Sequence, residues 1–377
     1  MAIDIHKVMG TDEEENPSGR KRPISWVEDK AFNAVNDLRK EFKLSWNDFF
    51  KCLMLYRNGL RYMFLAPRTL DKGLVLDHNT CMGLITLWVT NTAKNMMRPD
   101  PPADISVLKN LCGYGGKSAI AVAAGPSVAR KGHLELLKQY RDKIDCPIIT
   151  TAHSLKALLD AGIVPDLVEV VDGNGEKIPA FFDHDIIRQH ADDITFVTCM
   201  GVHPNTIAKW TGKKVYFFRS PVPENLLPNV DSLISFMYPD YTEMDTGGNN
   251  GSALYPLMGY LGCKEVAFVG LDLAYPIDLP KDQTMYYHAY LNSVGTAYKD
   301  AQDMISKCYE DCHHPAFGTD CYFDFVYAVF RESTFNMAKA YKKHFGCQFI
   351  NCTEGGSVYS EDIICKPFRD FLDEHAR

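Results

Sequence analysis

The sequence predicts an α/β fold with a Rossmann-like, mostly parallel sheet at its core, on three observations. Short apolar runs recur through the middle of the chain: Ala119–Ala124, Pro147–Thr151, Leu167–Val171, Ile194–Thr198, Lys214–Phe218 and Glu265–Gly270. Helical patterns separate several of them: His133–Lys143, Ser154–Ala161, Ile178–His190 and Ser252–Leu261. The first run leads straight into Gly125-Pro126-Ser127 and then a helical pattern. Short apolar strands alternating with helices imply a parallel sheet covered on both faces.

Taken in order, residues 1–22 read as a disordered tail, rich in charge and turn residues with nothing to bury. Residues 23–110 read as an N-terminal helical region. Trp26, Phe32, Val35, Leu38 and Phe42, then Phe49, Leu53, Tyr56 and Leu60, recur at helical spacing. Arg98-Pro-Asp-Pro-Pro102 marks the boundary, because prolines stop helices. Residues 117–277 form the nucleotide-binding core. Residues 278–377 read as a C-terminal helical segment: 281–345 mainly helical, a strand at Cys347–Asn351 returning to the core, and a closing helix over Lys366–Ala376.

Composition narrows the function. The 377 residues are 46% hydrophobic and 12% aromatic, enough for real cores. A net charge of -8 argues against a broad nucleic-acid footprint. No apolar run reaches the length of a membrane span, and the N-terminus lacks a secretory signal's apolar stretch. Twelve cysteines lie scattered, many inside apolar runs, which suits reduced thiols. A cytoplasmic protein is expected.

The Gly125-Pro126-Ser127 turn sets backbone N–H groups where a phosphate could bind. Gly125 admits close approach, Pro126 pre-sets φ, and Ser127 offers a hydroxyl. A dinucleotide fingerprint is absent, since only one of its glycines is present and no acid ends the next strand. Gly115-Gly116-Lys117-Ser118 imitates a P-loop but precedes a strand instead of following one. Asp172 and Asp272, candidate catalytic carboxylates, each sit just past a strand, where the ligand crevice of a parallel sheet opens. Gly247, Gly248, Asn249 and Asn250 form a second glycine-rich loop that opens a helix. Tyr275, Tyr286 and Tyr287 are candidate donors to phosphate oxygens, and His288 is a candidate general base. Cys308, Cys312, His313, His314 and Cys321 have zinc-ligand chemistry but untidy spacing, so no metal site is assigned.

Several segments together resemble one family: Ala123-Ala-Gly125-Pro-Ser127, Gly162-Ile-Val-Pro165-Asp166, Asp172, Thr246-Gly-Gly-Asn249, Val269-Gly-Leu-Asp272-Leu-Ala-Tyr275 and Asn351-Cys-Thr-Glu354-Gly-Gly356. They are similar to the MptE-like domain family, which includes archaeal 6-hydroxymethylpterin diphosphokinases and the bacterial Maf motility accessory factors that glycosylate flagellin. A fainter similarity is to bacterial sialyltransferases. The pterin branch carries His-Ala-His-Gly-Asp-Asn after its fourth strand. The corresponding stretch here keeps only His203 and Asn205, which weighs against pterin chemistry. The resemblance implies that Gly125, Ser127, Asn249 and Asn250 contact a nucleotide. By analogy of residue type with the sialyltransferases, Tyr275, Tyr286 and Tyr287 face its phosphate and His288 is the base.

The expected function is a transferase that moves a sugar from a CMP-type, nucleotide-activated donor to a hydroxyl acceptor, protein or small molecule. It needs no tightly bound cofactor and no metal. One alternative is pyrophosphoryl transfer from ATP to a pterin alcohol, with Mg²⁺ near Asp172 and Asp272. Another is a non-catalytic nucleotide-binding module.

Overall fold

In the computed structural model, residues 72–377 are described apart from 176, 222–233 and 296, with side chains from residue 84 onward. The expected tail and most of the expected N-terminal helices lie outside these residues.

The described residues open with a long helix, α1 (Lys72–Met96). β1 (Ala103–Asp104) and α2 (Ser106–Cys112) lead to β2 (Ser118–Val122), α3 (Ser127–Arg130) and α4 (His133–Tyr140). Then come β3 (Ile148–Thr151), α5 (Ala152–Asp160), β4 (Leu167–Val170), α6 (Lys177–Ala180), α7 (Asp185–His190), β5 (Thr195–Cys199), α8 (Pro204–Lys209) and β6 (Val215–Phe218). After the undescribed stretch follow α9 (Asn250–Tyr260), β7 (Glu265–Val269), β8 (Tyr275–Pro276), α10 (Tyr287–Leu291), α11 (Ala301–Cys308), β9 (Tyr309–His314), β10 (Thr319–Asp324), α12 (Phe325–Phe345), β11 (Gln348–Asn351), β12 (Ile363–Cys365) and α13 (Phe368–His375).

Among the described residues, nine strands form one sheet in the order β1-β6-β5-β4-β3-β2-β7-β11-β12. Every pairing in it is parallel. The order runs one way from β2 through β6 and the other way from β7. The switch point therefore lies between β2 and β7, and ligands of open parallel sheets bind beyond the carboxyl ends of such strands.

Alternation along the strands divides the core into two layers. Ala119 and Ala121 of β2 with Val266 and Phe268 of β7 face Leu254, Tyr255 and Met258 of α9. Ile120, Val122, Ala267 and Val269 face Leu137 of α4 and Phe368, Phe371 and Leu372 of α13. Phe268 and Phe349 stack at 4.5 Å across β7 and β11. At the amino ends of β2 and β7, opposite the carboxyl ends where the crevice opens, Ser118 donates to Glu265 at 2.5 Å, and His375 Nε2 lies 2.8 Å from Ser118 and 3.0 Å from Glu265. This network fastens α13 under the sheet.

Two expectations are corrected. Ile178–His190 is two short helices, α6 and α7, separated by Phe181–His184. The expected helical run over 281–345 contains an antiparallel hairpin, β9–β10, which joins β8 in a second sheet. Its turn ends at Gly318, whose φ of 61° suits glycine. Tyr322 and Phe323 are buried strand residues, and β-propensity reflects such packing. Cys312 and Cys321 pair directly across the hairpin, while His313 points to the other face and bonds Asp320 at 2.7 Å. Among the described residues, no three His, Cys, Asp or Glu side chains converge as a metal site.

Candidate active site

The elbow after β2 and the loop after β7 meet at the switch point. Ala123 N–H donates to Val269 O at 2.9 Å and Gly125 N–H to Gly270 O at 2.8 Å, so the two loops continue the pairing of their strands. A Cβ at Gly125 would collide with Asp272 Oδ2 and lie 2.5 Å from Gly270 O. Only glycine fits there. The helix after the elbow is one turn long and stops at Gly132, which opens α4 with φ 64°. Its dipole is correspondingly small.

Ser127 Oγ donates to Asp272 Oδ2 at 2.8 Å, and the Ser127 backbone N–H also serves that carboxylate. The elbow thus holds an anion of the chain itself. Burial pushes the Asp272 carboxyl up to about 6, against the opposing pull of the Ser127 hydrogen bonds.

A third loop buttresses this one. Ser357 N–H donates to Asp272 O at 2.8 Å, and Ser357 Oγ to Leu273 O at 2.7 Å. A Cβ at Gly356 would collide with Asp272 O. Asn351 Nδ2 holds Val358 O at 2.7 Å and Asn351 Oδ1 accepts Thr353 N–H at 2.8 Å. The Asn351–Gly356 segment therefore shapes the backbone that presents Asp272. Leu273 and Glu354 carry positive φ, 40° and 58°, costly for non-glycine residues and common at functional sites.

The second glycine loop lies beside the elbow. A Cβ at Gly251 would come 3.5 Å from Ala123 Cβ and 2.9 Å from Leu271 Cδ1. Asn249 caps α9, its Oδ1 accepting Ser252 N–H at 2.9 Å. Gly247 and Gly248, at φ 62° and 78°, pack against Met337 and Phe330 of α12, so they are compact joints more than an open cradle. Asn250 Oδ1 accepts Val171 N–H at 2.8 Å, tying α9 to the end of β4. The next residue but one after β4, Asp172, is exposed and accepts Asn174 N–H at 2.8 Å.

The three tyrosines separate. Tyr275 is buried and its hydroxyl donates to Asp324 Oδ2 at 2.9 Å, so a phosphate-facing role does not fit it. Asp324, wholly buried, caps α12 through Tyr327 N–H at 2.9 Å. Tyr287 packs with the cluster around Met304 and Tyr309. Tyr286 lies edge-on to Tyr327 at 6.1 Å, and burial pushes its hydroxyl up to about 12, with Tyr327, Asp324 and Asp172 adding to the rise. Tyr327 in turn feels Asp272. Tyr286 therefore lies within electrostatic reach of Asp172, and Tyr327 within electrostatic reach of Asp272. His288 is exposed on α10 with its ring 5.7 Å from Tyr287.

Sequence reasoning missed three contributors. Tyr327 comes from α12, far along the chain. Asn91 of α1 donates to Gly173 O at 3.3 Å and Gly201 O at 3.1 Å. Asn95 donates to Met200 O at 2.9 Å and Val202 O at 2.7 Å. Two asparagines four apart in an otherwise apolar helical stretch were the available signal.

The family described as 6-hydroxymethylpterin diphosphokinase MptE-like matches residues 90–278, from α1 through Asp272. Among solved structures, the chain is similar to a Maf glycosyltransferase from Magnetospirillum magneticum AMB-1, with 16% identity and a TM-score of 0.44. That match covers 67% of this chain and 34% of the neighbour, so the chain spans about a third of its length. No curated protein matches. No helix among the described residues is long and apolar enough to cross a membrane. On the extent of the family match, which takes in half the chain and both strand-end aspartates, the chain belongs to the MptE-like family.

Proposed function

We propose that the protein is a transferase that binds a nucleotide-activated donor in the crevice between Asp172 and Asp272 and passes a sugar to a hydroxyl acceptor. One observation carries the reading. Ser127 holds the Asp272 carboxylate at the switch point at 2.8 Å, within electrostatic reach of Tyr327, whose ring lies 6.1 Å from that of Tyr286. A carboxyl titrating at about 6 is largely ionised at neutral pH yet basic enough to accept a proton. Asp272 then takes the acceptor's hydroxyl proton as the acceptor oxygen attacks the donor's anomeric carbon and the bond to the departing phosphate breaks. Tyr286, protonated at neutral pH, donates to a phosphate oxygen as charge develops there. Asn250 supplies an amide to the same pocket, its Oδ1 already anchored to Val171. His288, exposed on α10, is the less supported base.

The family's description favours a second reading, pyrophosphoryl transfer to a pterin alcohol. It would use Mg²⁺, and Asp172 and Asp272 are the carboxylates available to hold one alongside substrate phosphates. Thermal-shift titration separates the two. A ligand at a hundred times its dissociation constant adds about 2.7 kcal/mol of stability. Stabilisation by CMP supports sugar transfer, and stabilisation only by ATP with Mg²⁺ and the pterin alcohol supports the kinase. No response to any nucleotide contradicts both. Hydrolysis of a CMP-sugar lost in Asp272→Asn but retained in His288→Ala assigns the base to Asp272; the reverse pattern assigns it to His288.

A further inference from the structure

α1 is bound into the crevice by more than contact. Asn91 and Asn95 engage four carbonyls of the loops after β4 and β5, and both side chains are at least 98% buried. Trp88 lies one helical turn before Asn91, on the same face. Its indole rests on glycine backbone at both loops. A Cβ at Gly173 would lie 3.2 Å from Trp88 Cδ1, and one at Gly201 3.7 Å from Trp88 Cβ. Gly173 follows Asp172 directly. Unlike the two asparagines, Trp88 keeps part of its surface open.

We propose that Trp88 is the aromatic platform on which the base of the bound nucleotide stacks. This rests on the nucleotide reading above. The sheet supplies the ruler. β4 lies two strand positions from β2, so at the usual strand spacing the end of β4 is about 10 Å from the elbow. A nucleotide with its phosphates at the switch point and its ribose passing Asp172 brings its base to the β4–β5 ends, where Trp88 stands. The four asparagine hydrogen bonds hold the indole against backbone, so little freedom is lost when a ring stacks on it. Stacking tolerates any base, whereas Asn250 and Asp172 supply polar contacts along the path.

Calorimetric titration of the full chain with CMP, and with ribose 5-phosphate as the base-free probe, tests this. Trp88→Leu keeps an apolar side chain without the π face. It should weaken CMP binding about five- to a hundredfold while leaving ribose 5-phosphate within twofold. Trp88→Phe should recover most of the CMP affinity. His375→Ala, at the amino ends of β2 and β7, serves as a control for general destabilisation and should bind CMP as the wild type does. If Trp88→Leu does not fold, quenching of tryptophan fluorescence by CMP in the wild type, absent in Trp88→Phe, gives the same answer. Unchanged CMP affinity in a folded Trp88→Leu, equal losses for both probes, or identical quenching in Trp88→Phe would overturn the proposal while leaving the donor site standing. Failure of the wild type to bind CMP, UMP or ATP would remove the nucleotide reading itself and this inference with it.

Discussion

Ser127→Ala should move the titration of Asp272 upward. In the wild type, burial raises the carboxyl to about 6, and the Ser127 hydroxyl and backbone N–H oppose that rise. A hydrogen bond to a charged group contributes about 1.5–3 kcal/mol, and about 1.4 kcal/mol is one pH unit. Asp272 is only half-buried and the Ser127 N–H remains, so the low end applies and the shift is about one unit. The sign for stability follows from the raised value. The folded state binds this proton more tightly than the unfolded chain, whose carboxyl titrates near ~3.9. The stability due to this proton is fully present below ~3.9 and is lost as pH rises through about 6. In Ser127→Ala that loss should continue to higher pH. The assay is carbon-13 NMR of the Asp272 carboxyl across pH 4–9, with CMP-sugar hydrolysis followed over the same range. The wild-type rate should fall as pH drops through about 6, and the variant's fall should begin about one unit higher. Coincident midpoints in wild type and Ser127→Ala would refute the assignment of Asp272 as the elbow's resident anion.

Other substitutions probe the surroundings of the site. Gly125→Ala drives a methyl into Asp272 and Gly270 O, so it should cost about 1–3 kcal/mol by overpacking and abolish nucleotide stabilisation in the thermal-shift assay. Glu169, wholly buried in β4 with neither carboxylate oxygen hydrogen-bonded, has its carboxyl held well above the usual range by burial. Glu169→Leu should therefore stabilise the fold by about 1–3 kcal/mol at neutral pH. Because the wild type loses stability as pH rises above ~4.3, the gain in melting temperature should grow from pH 4 to pH 8. A gain independent of pH would contradict the buried, protonated acid. Ser357→Ala removes the hydrogen bond to Leu273 O beneath Asp272 and should lower CMP-sugar hydrolysis with CMP affinity nearly unchanged, read as a fall in kcat at constant KM.

The sheet was legible because its strands are buried on both faces. Runs such as Ile148–Thr151 and Glu265–Val269 have no strict polar alternation to confuse them, and the seven expected strands lie within a residue or two of their expected bounds, whereas the short edge strands β1 and β12 were not expected. The hairpin β9–β10 was not legible. Its buried positions fall to Tyr, Cys and His among exposed charges, and no short turn motif announces it. For the site, the elbow and both strand-end aspartates could be read directly, since a parallel sheet dictates where its carboxyl ends open. Their partners could not. Ser127 and Asp272 stand 145 residues apart, and nothing local says that the elbow grips a carboxylate of its own chain. Tyr275 and Tyr287 shared the residue type expected near a phosphate, but burial beside Asp324 and Met304 commits them to packing. Tyr327 and the α1 side chains enter the crevice only through tertiary folding.

A crystal structure of the protein with CMP tests the central claim most directly. The phosphate should lie at the switch point within hydrogen-bonding reach of Tyr286, with the ribose beside Asp172. A nucleotide bound elsewhere on the molecule, with Asp272 and Tyr286 untouched, would contradict the account.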